Sequence, residues 1–345
     1  MLRIEVFFLT GCFALFAILT SETTAGEQTI RGDSKIIPRG AVLETIWEEG
    51  GFTEGAAAAP DGTIYFSDFG QPFNSRPARV MHFDPLTGKI NIHVHDSRMA
   101  NGLMFDRQGN LYACCASPLG GLRALALVRP DGTMQPVVTH FQGKQFNSPN
   151  DLVIDREGRI YFSDPKYVGP EKMALSSMDV YRYDPNGSLT RVTNDISKPN
   201  GVILSPDGKT LYVAETDNGT DEAERVTDAE MGRMTLNAFS VQDDGSLGQK
   251  RVLVNFGDQV GIDGMTVDQQ GRVYAAVRSA NRFGIAVFEP HGKELAFIPT
   301  PHLPTNCCFG RSTPIETKTL YITAGSGLYR VRLKTTGHHS AVVAR

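Results

Sequence analysis

One phrase recurs six times along this chain, and it leaves few architectures open. Its copies are GAAAAPDGTIYFSD from Gly55, GLMFDRQGNLYACC from Gly102, DLVIDREGRIYFSD from Asp151, GVILSPDGKTLYVAE from Gly201, GMTVDQQGRVYAAV from Gly264 and a degenerate CFGRSTPIETKTLYITA from Cys308. In most copies an Asp and a Gly sit between two halves that alternate apolar and polar residues, the mark of a β-hairpin. Further short strands follow the hairpins, at 79–84, 179–184 and 285–289, and each runs into a Pro- or Gly-bearing turn. About four strands per unit at a period of roughly 40–50 residues is what a propeller blade requires. The expectation is an all-β chain, a six-bladed β-propeller around a central metal-binding channel. No long amphipathic helix separates the strands, which argues against an alternating βαβ fold. The acidic stretch 217–234 reads as an insertion in blade four.

The residue just before each hairpin carries a second regularity. These residues are Glu54, Asn101, Asn150, Asn200, Asp263 and Asn306, spaced by 47, 49, 50, 63 and 43 positions. All carry a side-chain carbonyl or carboxylate oxygen. Rotation about a propeller axis would gather residues of equal phase into a ring. A ring of Asn, Asp and Glu without His or thiol suits a hard cation, and calcium takes carboxylates and amide carbonyls together. Asn and Asp before Gly are also ordinary turn formers, but turn chemistry alone does not account for six positions in phase with a Glu among them.

Other features narrow the function. The chain of 345 residues has a net charge of −4, and its basic residues are dispersed, so no nucleic-acid partner is expected. Arg3 followed by an apolar run from Phe7 to Leu19 and small residues around Ala25 reads as a signal peptide over 1–25. That leaves one propeller domain over 26–345, secreted or periplasmic, with no membrane span, and expected to act as a monomer. The vicinal pairs Cys114-Cys115 and Cys307-Cys308 match neither a disulfide framework nor a zinc pattern and are expected as small buried strand residues, with a bridge between the pairs left open. No GxSxG elbow, glycine-rich phosphate loop or HExxH is present. His93 and His95 share a strand face and are expected at an exposed blade edge, and His338-His339 in a solvated tail.

Several phrases resemble the senescence-marker-protein/gluconolactonase family, which includes regucalcin. They are FTEGAAAAPDGTIYFSD at Phe52, ANGLMFD at Ala100, FNSPNDLVIDREGRIYFSDP at Phe146, PNGVILSPDGKTLYVAET at Pro199, DGMTVDQQGRVYAA at Asp263 and PTNCCFG at Pro304. The resemblance implies a six-bladed propeller with one divalent ion, usually calcium, in the channel. It carries metal ligation onto Glu54, Asn200 and Asp263, and onto Asn150 as a contact to substrate or ion. Two departures stand out: Ser148 replaces an Arg of the regucalcin-like members, and Cys114-Cys115-Ala116 replaces a Cys-Glu-His of many bacterial ones.

The chemistry this implies is hydrolysis of a small sugar-type lactone. A cation, Ca2+ or alternatively Zn2+, Mg2+ or Mn2+, would polarise the lactone carbonyl. Asp263, or Glu54 in second place, would take a proton from the attacking water. Asn101, Asn150 and Asn306 would orient hydroxyls and water, with Asp164 a further candidate for substrate contact. The alternatives are an organophosphate hydrolase on the same scaffold and a non-catalytic, calcium-stabilised ligand-binding propeller.

Overall fold

The computed structural model describes residues 29–70, 77–219 and 232–340. The expected leader and most of the blade-four insertion lie outside them. Among the described residues there is no α-helix, only two short 3₁₀ turns, Pro118–Gly120 and Glu316–Lys318. No helix among them is long and apolar enough to cross a membrane.

Six antiparallel sheets make the blades, each with a core of four strands that are consecutive in the chain in every blade but the sixth. The innermost strands are Thr53–Ala58, Ala100–Phe105, Leu152–Ile154, Pro199–Leu204, Ile262–Val267 and Pro304–Phe309. Each is paired with the second half of its repeated phrase, as in Leu152↔Phe162 and Ile154↔Ile160. The turn between the halves is built by the repeated Asp. Asp155 Oδ1 accepts the amides of Glu157 and Arg159, each at 2.9 Å, and Gly158 N returns a hydrogen bond to the Asp155 carbonyl. The anticipated outer strands are present as Arg79–Phe83, Asp179–Tyr183 and Gly284–Phe288.

Blade six is completed from the other end of the chain. Leu43–Trp47 forms its outermost strand, with Leu43 opposite Val331 and Thr45 opposite Tyr329. This closes the ring by tying the start of the propeller to its last blade. Arg31–Gly32 adds a short fifth strand to the edge of blade five.

The tyrosines of the repeated phrase wedge between blades. Tyr161, Tyr274 and Tyr321 are fully buried, and each hydroxyl has a partner: Gly245 O at 3.0 Å, Asp268 Oδ2 at 3.0 Å and Glu316 Oε2 at 2.6 Å. A buried phenol is tolerated because its ring displaces water while its hydroxyl stays paired.

The four described cysteines are free and buried in strands, so no bridge joins the pairs. His93 lies on the outermost strand of blade one, Ile90–Val94, and His95 just after it, as expected for a blade edge; His95 is exposed, but His93 is half-buried against Tyr65 at 5.1 Å and His82 at 6.0 Å between ring centres. The solvated tail is corrected. Residues 336–340 fold back under blades five and six, where Gly337 N donates to Thr317 O and His338 N to Val267 O. Burial and the nearby Arg311 charge push His339 down to about 3. The tail is held because Gly337, lacking a side chain, can lie directly on Phe309.

Candidate active site and metal centre

The six predicted ring residues all lie at the start of an innermost strand or immediately before it, at the same end of the channel. Glu54, Asn101, Asn200, Asp263 and Asn306 are buried, and Asn150 is half-buried. Neighbouring blades approach closely at this level. Gly102 N donates to Asn150 O at 2.8 Å, and the Ser67 hydroxyl donates to Asn101 O at 2.7 Å. Ring residues in four blades are followed by glycine, and Gly264 shows why: a β-carbon there would lie 2.3 Å from the Asn306 side chain.

Electrostatically the core of the site is a pair of carboxylates. Burial raises the Glu54 carboxyl well above its ordinary value, the Asp263 charge raises it further, and Arg278 opposes both. Burial also raises Asp263, against the Arg278 guanidinium and the Asn200 amide. Asn200 stands within hydrogen-bonding reach of Asp263 and of the Tyr167 hydroxyl, which itself donates to Thr216 O at 3.0 Å. Yet Asn200 Oδ1 is buried with no hydrogen-bond partner. A buried amide oxygen without a partner costs free energy unless something else satisfies it. Beside two acids that each suffer from burial, that oxygen fits a cation. Among the described residues, no group of three or more His, Cys, Asp or Glu is gathered to hold a metal. A cation here would have to be held by a mixed donor set, two carboxylates completed by amide oxygens, of the kind a hard divalent ion takes.

Asp164 serves a different place. It is fully buried, and its two oxygens accept the amides of Asn147 at 2.8 Å and Ser148 at 2.7 Å. It thereby anchors the loop that presents Asn150. Asp68 and Glu215 do the same in blades one and four, taking the amides of Gly51 at 2.8 Å and Ser197 at 2.7 Å.

Sequence reasoning missed two charged residues of the site. Asp151 stands where glycine follows the ring residue in four other blades, and that substitution was the available signal. Its Oδ1 accepts from Leu152 N at 2.9 Å and its Oδ2 from Val202 N at 3.2 Å, its side chain pairs with Asn306, and burial raises its carboxyl to about 7. Arg278 follows the blade-five hairpin, outside the repeated phrase. Its Nη1 donates to Asp263 Oδ2 at 3.1 Å and to Pro304 O at 3.0 Å, and its guanidinium lies 6.0 Å from the centre of the Phe52 ring. Below the ring, Asp151, Asn306, Arg311 and the tail residues His338 to Ser340 enclose a cavity of about 50 Å³. The tail thus closes the far end of the channel.

A gluconolactonase of Zymomonas mobilis is 32% identical over 253 residues, 69% of this chain and 64% of its own. The chain thus spans slightly less than two thirds of that relative. A solved gluconolactonase of Xanthomonas campestris superposes with a TM-score of 0.74 at 28% identity, over 89% of this chain and 95% of that one. A regucalcin of Agrobacterium tumefaciens shares the fold at 17% identity, with a TM-score of 0.66 over 88% of this chain and 98% of that one. Residues 52–326, from Phe52 before the blade-one carboxylate to the closing strands of blade six, match the SMP-30/Gluconolactonase/LRE-like region, and the chain belongs to that family.

Proposed function

We propose that the protein is a lactone hydrolase that opens a sugar-type lactone with a divalent cation, calcium foremost, held by Glu54, Asn150, Asn200 and Asp263. The observation that carries this reading is the partnerless Asn200 Oδ1 buried beside two carboxylates that burial holds above their ordinary range. The gluconolactonase relatives support the lactone as substrate class. The bound cation would polarise the lactone carbonyl and offset the charge that develops on its oxygen.

The chain's own residues supply the rest. Asp263, steadied by Arg278, takes a proton from the water that attacks the carbonyl carbon. The bond from that carbon to the ring oxygen then breaks, and the freed oxygen recovers a proton, leaving the hydroxy acid. Glu54 is the second candidate for the base. Asn101 stands at the same level of the channel, where its amide is suited to holding a substrate hydroxyl, whereas the Asn306 amide is engaged by Cys307 N at 2.8 Å and by Asp151 and holds that acid in place. Asp164, with both oxygens occupied by backbone amides, supports this indirectly by fixing the Asn150 loop.

A panel of aldonolactones, assayed with and without chelator and after return of calcium, zinc, magnesium or manganese, tests the reading. Hydrolysis abolished by chelation and restored by calcium is expected. Lactone hydrolysis indifferent to chelation removes the cation. A fluorophosphate cleaved in place of every lactone moves the substrate to the phosphotriester class. No turnover of either leaves a binding propeller.

A further inference from the structure

Arg278 is the one feature of the site that a cation-binding ring does not call for. Its Nη1 sits 3.1 Å from Asp263 Oδ2, its side chain is only 11% exposed, and its charge is felt at Glu54 and Tyr167 as well as at Asp263. The same nitrogen donates to Pro304 O, so the guanidinium bridges blades five and six. Its backbone amide is fixed to Gly261 O at 2.9 Å. A buried positive charge this close to a candidate ligand repels any cation that shares the carboxylate. Glu54, Asp151 and Asp263 lie close enough to act on one another electrostatically, and Arg278 is the cation set among them, offsetting part of their negative charge.

We infer that Arg278 is a positioning and selectivity residue: it orients Asp263 for its role toward water and substrate, and its charge beside that carboxylate favours a divalent over a trivalent ion in the channel. This rests on the cation site proposed above. Because repulsion scales with the charge of the ion, a trivalent ion suffers more from Arg278 than a divalent one of similar size. The channel therefore discriminates by charge as well as by donor type. Orientation is a separate duty, since Nη1 gives its two N–H groups to Asp263 and to the Pro304 carbonyl from the end of a planar side chain one bond longer than the flexible stem of a lysine.

The two duties separate in Arg278→Gln and Arg278→Lys. The full-length protein is titrated with calcium and, separately, with terbium, following heat and terbium luminescence, and kcat and KM are measured on the best lactone. In Arg278→Gln, affinity for both ions is expected to rise, and the preference for terbium over calcium to grow by about tenfold or more. Its kcat is expected to fall while KM changes little. Arg278→Lys, which keeps the charge but loses the longer, planar reach, is expected to restore the ion preference of the wild type without restoring kcat. An unchanged terbium-to-calcium ratio in a folded Arg278→Gln, judged by its melting temperature, overturns the selectivity role. Full kcat in Arg278→Lys overturns the orienting role. Wild-type protein that binds neither ion removes the cation site and this inference together, whereas a wild type that binds calcium isolates the failure to Arg278.

Discussion

Gly55 and Asn101 meet so closely across the blade-one and blade-two boundary that a β-carbon on Gly55 would stand 1.9 Å from the Asn101 carbonyl oxygen. Gly55 also holds φ at +51°, in the left-handed region. Replacing it with alanine therefore adds a steric conflict with backbone, which cannot swing aside as a long side chain would. Gly55→Ala is expected to lose about 2 kcal/mol or more in urea unfolding. Because the shift displaces Glu54 and Asn101 together, calcium affinity is expected to fall with it. A variant as stable as the wild type would mean that the two blades can move apart at little cost.

Glu54 and Asp263 set function against stability. Each carboxylate is raised by burial, and Glu54 is raised further by Asp263. Glu54→Gln removes a buried like charge, so in chelator the variant is expected to melt at or above the wild-type temperature. Its lactone turnover is expected to fall by about 10²–10⁴-fold, as for loss of a ligand or proton acceptor. Asp263→Asn is expected to lose as much activity, but it also strands Arg278, so its melting temperature should not rise. Turnover retained in Asp263→Asn with turnover lost in Glu54→Gln would transfer the base to Glu54.

The fold was readable because the repeated hairpin phrase fixes both the strand alternation and the phase of the residue before it. Glu54, Asn101, Asn150, Asn200, Asp263 and Asn306 consequently reach one end of one channel. What the phrase does not contain stayed hidden. Arg278 lies after a hairpin, where no repeat marks it, and its role depends on a contact between blades five and six. Asp151 looked like part of a strand because an apolar run follows it, although it breaks the glycine pattern. Leu43–Trp47 carries little periodicity of its own, and its place in blade six comes from ring closure. The two tail histidines are polar residues near a terminus, and only the glycine before them, small enough to lie on Phe309, allows their burial.

The pH dependence of stability isolates Asp164. Burial raises its carboxyl from an ordinary 3.8 to about 7, despite the two amides it accepts. A raised folded value means the native state holds the proton longer than the unfolded chain. The stability associated with that proton is fully present below about pH 4 and is lost as pH climbs through 7. Over that window the change is on the order of 4 kcal/mol. Asp151 acts with the same sign, whereas His339, depressed to about 3, acts with the opposite sign as pH rises to its unfolded value of 6.5. The informative quantity is therefore a difference. Between pH 4.5 and 7.5, in chelator, the melting temperature of the wild type is expected to fall relative to that of Asp164→Asn. Parallel curves would show that Asp164 is ionised throughout.

Ending the chain at Thr336 tests whether the tail is a plug or part of the reaction path. The truncation removes the Gly337 donation to Thr317 O at 2.8 Å and that of His338 to Val267 O at 3.0 Å, and it uncovers Phe309, which is 1% exposed in the intact protein. Two backbone hydrogen bonds and part of one aromatic face amount to about 2–4 kcal/mol. For a chain of this size that corresponds to a melting temperature lower by roughly 3–6 °C. The truncation also deletes His339, so stability should no longer gain from rising pH through the imidazole range. The ring of Glu54, Asn200 and Asp263 lies at the opposite end of the innermost strands and keeps all its neighbours. Lactone kcat/KM, measured well below the melting transition, is therefore expected within about threefold of the wild type, far short of the losses that accompany removal of a reacting group. A folded truncation with collapsed kcat would mean that the cavity of about 50 Å³ beneath the ring takes part in turnover, by water or proton supply, and that the tail is there to keep it closed.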